Sequence, residues 1–293
     1  MVNAVTRKQH VMLVGHLAGR ELFGAERSLL DLLECIDKEQ YEVSCILPST
    51  NDGYINAIAK FTNNIIVFPY SWWSSAQPVH EGSVSRFAAI FAREHVDLVH
   101  VNTITLMDPL LAARRVSIPS IVHARELINE DEQLAHVFGG SVAGIVSKVQ
   151  SATDFIICNS DATHRLYHMG DRSFRLYNTL DFQRLDITNE LEPGRLKVGI
   201  VSSNLQKKGI EHFANLAQLA LHCCPTVEFF VIGPLNEYAT DLKRRGPRPN
   251  LHFLGYFDDP TRAVQSVVLH RAANIAKPNV SDDAKPSKLR PVR

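Results

Sequence analysis

Short apolar runs alternate with amphipathic stretches from about residue 10 onward. His10–Leu17, Tyr41–Leu47, Asn64–Phe68, Val96–Val101, Ser120–His123 and Asp154–Cys158 are rich in β-branched and aromatic residues over the length of a strand. Between them the apolar positions recur at helical spacing, so the pattern predicts a parallel, doubly wound α/β sheet. Within a run such as Phe155-Ile156-Ile157-Cys158 apolar and polar positions do not alternate. A strand covered by helices on both faces has no solvent side, and that is the composition it needs.

A second set of runs, Leu196–Ser203, Val227–Gly233 and Leu251–Gly255, follows the polar stretch Asn189–Gly194. The stretch predicts a domain boundary, and Gly233-Pro234 and Gly255 close their strands. Gln206–Cys223 predicts a helix that packs on the second sheet through Ile210, Phe213, Leu216, Ala217, Ala220 and Leu221. With Val267–Leu269 the second unit reaches four strands, against about six in a complete nucleotide-binding half. Lys277–Arg293 holds three prolines, five Lys or Arg and no aromatic residue, which predicts a disordered tail. The expected organisation is therefore an α/β protein of two Rossmann-like domains, residues 1–188 and an incomplete 195–269, followed by a tail over 270–293.

Composition narrows the function classes. At 293 residues and 45% hydrophobic content the chain can build two cores. Lys plus Arg and Asp plus Glu both number 31, so no global field favours nucleic acid as a partner. The five cysteines have no C-x-x-C spacing, which argues against a disulfide framework or a zinc site and fits a reducing cytosol. No apolar run reaches the ~18 residues of a spanning helix, so the expectation is a cytoplasmic protein with at most peripheral membrane contact.

The chemistry-bearing residues cluster at strand ends. Leu22-Phe23-Gly24-Ala25-Glu26-Arg27-Ser28 is a glycine turn opening a helix, whose backbone N–H groups and dipole suit an anion or sugar hydroxyls, or simply a helix N-cap. The full G-x-G-x-x-G fingerprint of a dinucleotide oxidoreductase is absent, since Gly24 stands alone. His123 ends a buried strand, where open α/β sheets place ligand groups, although a hydrogen-bonded core histidine fits the position too. Arg125 and Glu126 follow it as candidate acceptor contacts or as a solvated ion pair. Trp72 and Trp73 offer a stacking platform for an acceptor sugar, an interfacial anchor, or ordinary packing back onto the domain. His164 and His168 stand i,i+4 without a third ligand, so no metal site is expected.

Six segments carry a resemblance when taken in order. Gly24-Ala25-Glu26-Arg27-Ser28-Leu29 is similar to the Gly-Ala-Glu-Arg turn of family-4 glycosyltransferases. Asp97-Leu98-Val99-His100-Val101-Asn102 and Ile118-Pro119-Ser120-Ile121-Val122-His123 resemble that family's "D-hydrophobic-V-H" and "P-hydrophobic-V-x-x-H" strands, the second ending in an active-site histidine. Ala152–Ser160, Arg175–Asp181 and Lys197–Ser203 with Lys207-Lys208-Gly209 resemble the family's sixth-strand, domain-crossover and donor-domain motifs. The resemblance implies a GT-B fold and transfer of a sugar from a nucleotide-sugar donor to a glycan or lipid-linked acceptor. It also implies retained anomeric configuration, no bound metal and no other cofactor. By the same resemblance Lys208 and Gly209 meet the donor diphosphate, Gly24 and Ala25 supply backbone donors, and His123 is the catalytic histidine. Bacterial polysaccharide or lipopolysaccharide assembly is the setting it suggests.

The chain also departs from the pattern. Where the family has an arginine it carries Ser203, or Asn204 in a shifted register. After Leu269 the family's Glu-x7-Glu segment gives way to His270-Arg271-Ala272-Ala273-Asn274 and the Pro/Lys tail. The expectation is a donor half that is truncated or frameshifted, with weak or absent transfer. The alternative is a non-catalytic remnant that binds an acceptor or a partner.

Overall fold

In a computed structural model of the protein, residues 7–19, 21–77, 79–178, 196–246 and 248–259 are described. Contacts divide the chain into two units, Met1–Thr179 and Leu180–Arg293. The predicted boundary Asn189–Gly194, the run Val267–Leu269, the end of the crossover motif and the tail 270–293 lie outside the described residues.

The first unit is a seven-stranded sheet whose paired strands all run parallel. Its strands are β1 (Gln9–Val14), β2 (Tyr41–Leu47), β3 (Ile65–Val67), β4 (Leu98–Val101), β5 (Ser120–Ala124), β6 (Phe155–Cys158) and β7 (Ser173–Arg175), in the order β3-β2-β1-β4-β5-β6-β7. The helices between them are α1 (Gly24–Cys35), α2 (Asp52–Ile58), α3 (Glu81–Arg93), α4 (Asp108–Arg115), α5 (Glu132–Phe138), α6 (Val142–Ala152) and α7 (Asp161–Leu166). β1 shows why its run is apolar throughout. Val11 and Leu13 pack with Leu29 and Leu33 of α1 on one face, while Met12 and Val14 pack with Phe87 and Phe91 of α3 on the other. Leu29 and Leu33 are fully buried, each contributing about 1.5–3 kcal/mol relative to exposure.

Strand order reverses between β1 and β4, so connections leave their carboxyl ends in opposite directions and open a crevice there. At the opposite edge the sheet is tied by side chains. Asp97 accepts from the His10 backbone N–H at 2.7 Å, and Asp154 accepts from both the Ser120 amide (2.8 Å) and its hydroxyl (2.9 Å). Ser160 caps α7, accepting from the Thr163 N–H at 3.1 Å.

The second unit has a parallel sheet in the order β10-β9-β8, formed by β8 (Lys197–Val201), β9 (Glu228–Ile232) and β10 (Leu251–Gly255). A 3-10 turn, Gln206–Lys208, leads into α8 (Ile210–Cys223), and α9 (Glu237–Arg244) follows β9. α8 buries Ile210, Ala214, Ala217 and Ala220. Leu216, predicted to face the sheet, is 51% exposed, because the buried stripe follows the alanines and Leu216 lies a full 100° step away from Ala217. Among the described residues no helix is long and apolar enough to cross a membrane.

Candidate functional site

Three loops meet at the carboxyl edge beside the switch point: the one after β1 leading into α1, the one after β4, and the one after β5. Asn102, fully buried just past β4, joins them. Its Nδ2 donates to the Ala25 carbonyl at 2.8 Å, while its own Oδ1 accepts from Arg125 Nη2 at 3.1 Å and its backbone carbonyl from Arg125 Nε at 3.2 Å. Arg125 Nη2 also donates to His123 Nδ1 at 2.9 Å, and Nη1 donates to the exposed Asn178 Oδ1 at 3.2 Å. The structure thus brings together Ala25, His123 and Arg125, with Gly24 heading the same helix as Ala25.

The network fixes the chemistry of His123. A guanidinium has only N–H groups to offer, so Nδ1 must be the unprotonated nitrogen and Nε2 carries the hydrogen. Burial, the Arg125 cation and the neighbouring His100 hold His123 down to about 2, so the ring is neutral at physiological pH. His100 is held down to about 4 by burial and Arg125. Burial also draws Arg125 down to about 10, which leaves it charged. His123 is 6% exposed, and its Nε2 is buried without a hydrogen-bond partner among the described residues. The guanidinium, half-buried and reaching Asn178, is the part of the network that approaches the surface.

At the start of α1, Glu26 turns back on its own helix. Its carboxylate accepts from the Phe23 N–H at 3.0 Å and lies 3.2 Å from His16 Nε2. Burial opposes its ionisation, but the His16 hydrogen bond and charge, with backbone N–H groups, hold the carboxyl below the usual range. A carboxylate therefore already sits against the positive end of the helix. Gly24 itself is exposed, and a Cβ built on it would meet open space.

Several predicted contacts resolve differently. Trp73, expected as one half of a stacking platform, is core: 4% exposed, stacked on Phe138 at 4.4 Å between centroids, with Nε1 donating to the Ile104 carbonyl at 2.8 Å. Neither ring face is available to an acceptor, since Lys148 Nζ lies over the ring at 4.6 Å. Its neighbour Trp72 is 40% exposed. Glu126 is not turned toward a ligand either, because its carboxylate accepts from the Thr103 hydroxyl and from the Arg125 N–H (3.1 Å), holding the loop after β4. His164 and His168 both bond Ser173 and brace β7.

In the second unit Lys208 is exposed at the end of the 3-10 turn, and Gly209 takes the left-handed φ of 74° that lets α8 start there. Asn204 cannot stand in for an arginine. It is fully buried at φ 54°, its Nδ2 donating to the Pro234 carbonyl at 3.1 Å and its Oδ1 accepting from Ser202 Oγ at 2.8 Å. Lys208 belongs to the second unit, and His123, Arg125 and Gly24 to the first.

Sequence reasoning had not singled out Asn102, His16 or Asn178 as site residues. Asn102 is the last residue of the segment Asp97–Asn102, yet only the spatial closeness of the β4 and β5 ends shows that it bridges them.

Residues 24–184, more than half of the chain, match the model described as Glycosyltransferase Family 4. No curated protein sequence matches the chain. Among solved structures, S. aureus TarM in complex with UDP, alpha-GlcNAc-glycerol and fondaparinux is similar at 8% identity and a TM-score of 0.65, over 87% of this chain and 79% of that one. UDP-GlcNAc 2-epimerase from Neisseria meningitidis, bound to UDP-GlcNAc, is similar at 11% identity and a TM-score of 0.60, over 89% and 76%. The lipopolysaccharide outer core galactosyltransferase WaaB is similar at 12% identity and a TM-score of 0.55, over 88% and 71%. At such identities the likeness is one of fold, the two-unit GT-B type.

Proposed function

The chain belongs to glycosyltransferase family 4, and from that premise we propose that it transfers a sugar from a nucleotide-sugar donor to a glycan or lipid-linked acceptor, with retention at the anomeric carbon. The observation that carries this reading is the bonded chain Ala25–Asn102–Arg125–His123 at the switch point of the first sheet. It fixes a helix start, a cation and a neutral imidazole at one sheet edge, without a carboxylate among those direct bonds. Two of the neighbours named above support the class of ligand, since TarM was solved with UDP and the Neisseria epimerase with UDP-GlcNAc.

Transfer leaves negative charge on the departing diphosphate, and fixed donors that need no reorganisation stabilise it most effectively. In this reading Lys208 supplies the mobile cation, Gly209 lets the chain turn beside it, and the amides of Gly24 and Ala25 supply fixed donors, so that no metal step is required. Glu26 already places one carboxylate against the helix start, so in this reading the Gly24 and Ala25 amides act as neutral hydrogen-bond donors and Lys208 supplies the charge. Arg125 and the exposed face of Trp72 are the proposed acceptor contacts, because the loop bearing Trp72 is anchored by Trp73 to the loop after β4. A surface-polysaccharide or lipopolysaccharide acceptor, reached from the cytoplasmic face of a membrane, is the proposed setting.

Isothermal titration of the full chain with uridine and guanosine nucleotide-sugars tests the reading. Micromolar binding of at least one is expected, weakened about 10–100-fold by Lys208→Ala, the worth of a charge-assisted contact. Absence of binding to the whole set would leave only the non-catalytic remnant. With a donor in hand, the anomeric proton coupling of the product reports retention or inversion.

A further inference from the structure

Two imidazoles beneath the site are unaccounted for. His100 of β4 and His123 of β5 stand on neighbouring parallel strands, their ring centroids 5.9 Å apart and inclined at 44°. They are 5% and 6% exposed, and the Nε2 atom of each is buried without a hydrogen-bond partner among the described residues. Buried polar atoms in folded proteins are satisfied in the great majority of cases, and two unsatisfied ring nitrogens on adjacent strands are a paired exception. An oxygen at about 2.8 Å from each nitrogen spans nitrogens up to about 5.6 Å apart, which rings at this separation allow.

We infer that His100 and His123 share one internal water, and that this water-linked pair is a positioning device that locks the Arg125 guanidinium at the sheet edge. The assignment of hydrogens follows from Arg125. Because its Nη2 donates to His123 Nδ1, His123 must donate through Nε2, and the water accepts that bond. The water oxygen has a second lone pair and two hydrogens, so it accepts from His100 Nε2 or donates to it, and one oxygen satisfies both rings. A buried water of this kind needs two or more polar partners and is held as firmly as a side chain. The water orients His123, and His123 orients Arg125 through its Nδ1 lone pair. His100 therefore acts through two intermediaries and touches no substrate.

The functional weight of the device rests on the reading of Arg125 as an acceptor contact, but its test uses neither donor nor acceptor and so succeeds or fails separately. In the full chain labelled with 15N-histidine, long-range 15N–1H correlation spectra are expected to show a neutral His123 protonated at Nε2. A crystal structure should show one solvent oxygen within hydrogen-bond distance of both Nε2 atoms. His123 protonated at Nδ1, or no density there, would overturn the proposal without any variant being made. Substitution adds a second arm. His100→Gln keeps a polar group toward the water and should leave Arg125 Nε–H exchange within about threefold of the parent, whereas His100→Leu should accelerate it by about tenfold or more as the local opening becomes easier. If His100 merely fills space, leucine is the better replacement, and the reverse order of exchange rates would sink the idea.

Discussion

In the seven-stranded sheet β1 hides Val11 and Leu13 beneath α1 and hides Met12 and Val14 beneath α3, whereas in the three-stranded sheet β8 leaves Val201 at its end 56% exposed, and Leu196 just before its start is 55% exposed. Both sheets are parallel and both have helices between strands. The difference is position within the sheet: β1 has strands on each side, and among the described residues β8 is paired only with β9. Its neighbour β9, with partners on both edges, buries Phe229, Phe230, Val231 and Ile232. The site chemistry divides in the same way. The first unit places its cation in a closed net of hydrogen bonds, and the second offers Lys208 on an exposed turn.

The sharpest way to break this contrast is to attack the anchors. Trp73→Ala should destabilise the first unit by about 3–5 kcal/mol, the range for removing a buried large aromatic, as read by urea unfolding. A loss under 1 kcal/mol would mean that the Phe138 stack is not core. In the second unit Gly233→Ala should destabilise by about 3 kcal/mol. Gly233 holds φ at 145°, and a Cβ there would fall 2.0 Å from the Ser202 carbonyl oxygen, a backbone atom with little room to retreat. Thermal scans of that variant should show the lower transition belonging to the second unit while the first is unmoved.

Acid sharpens the comparison further. His100 and His123 are held down to about 4 and about 2, below the 6.5 of a free imidazole. The unfolded chain therefore binds protons that the folded chain refuses, and stability is full above about pH 6.5 and falls as pH drops below it. Each ring removes up to about 1.4 kcal/mol per pH unit, His100 until about pH 4 and His123 further still. Glu26, whose folded carboxyl is also depressed, adds to the loss at the lower end, since its contribution is present above the ordinary carboxylate range and disappears as pH falls through its folded value. Denaturant midpoints between pH 7 and pH 4.5 should fall, and should fall less in a His100→Gln chain. Smallest of all, Trp72→Ala should change stability by no more than about 0.5 kcal/mol, because its partly exposed ring is not the one that anchors the loop.

What was legible in the sequence followed from burial on both faces. The strands of the first sheet from β1 to β6 appear as apolar runs because helices cover them, and the family motifs fall at their ends. β7 escaped notice because Ser173-Phe174-Arg175 has one apolar residue, and its place in the sheet is secured by pairing with β6. Trp72 and Trp73 are adjacent and chemically identical, so only the distant Phe138 and Ile104 decide which one is buried. The face of α8 was misread at Leu216 because small alanines, rather than the larger leucines, fit against the sheet. At the site, His123 and Arg125 are nominated by strand-end position together with the family resemblance of Ile118–His123. That they are neutral and charged respectively, bonded directly to each other, with Asn102 tying Arg125 to Ala25, depends on contacts between strands far apart in the chain.

The placing of β1 at the middle of its sheet has a consequence for how the protein is made. One edge of β1 meets β2 soon after it in the chain, but its other edge waits for β4, and the bond from the His10 amide to Asp97 spans 87 residues. During synthesis the segment through β3 therefore emerges with an open, apolar flank, which closes only when Asp97 and the strand after it have left the ribosome. Long closures of this sort slow folding and expose sticky intermediates, so translation speed across residues 68–100 should govern how much of the protein is recovered in soluble form.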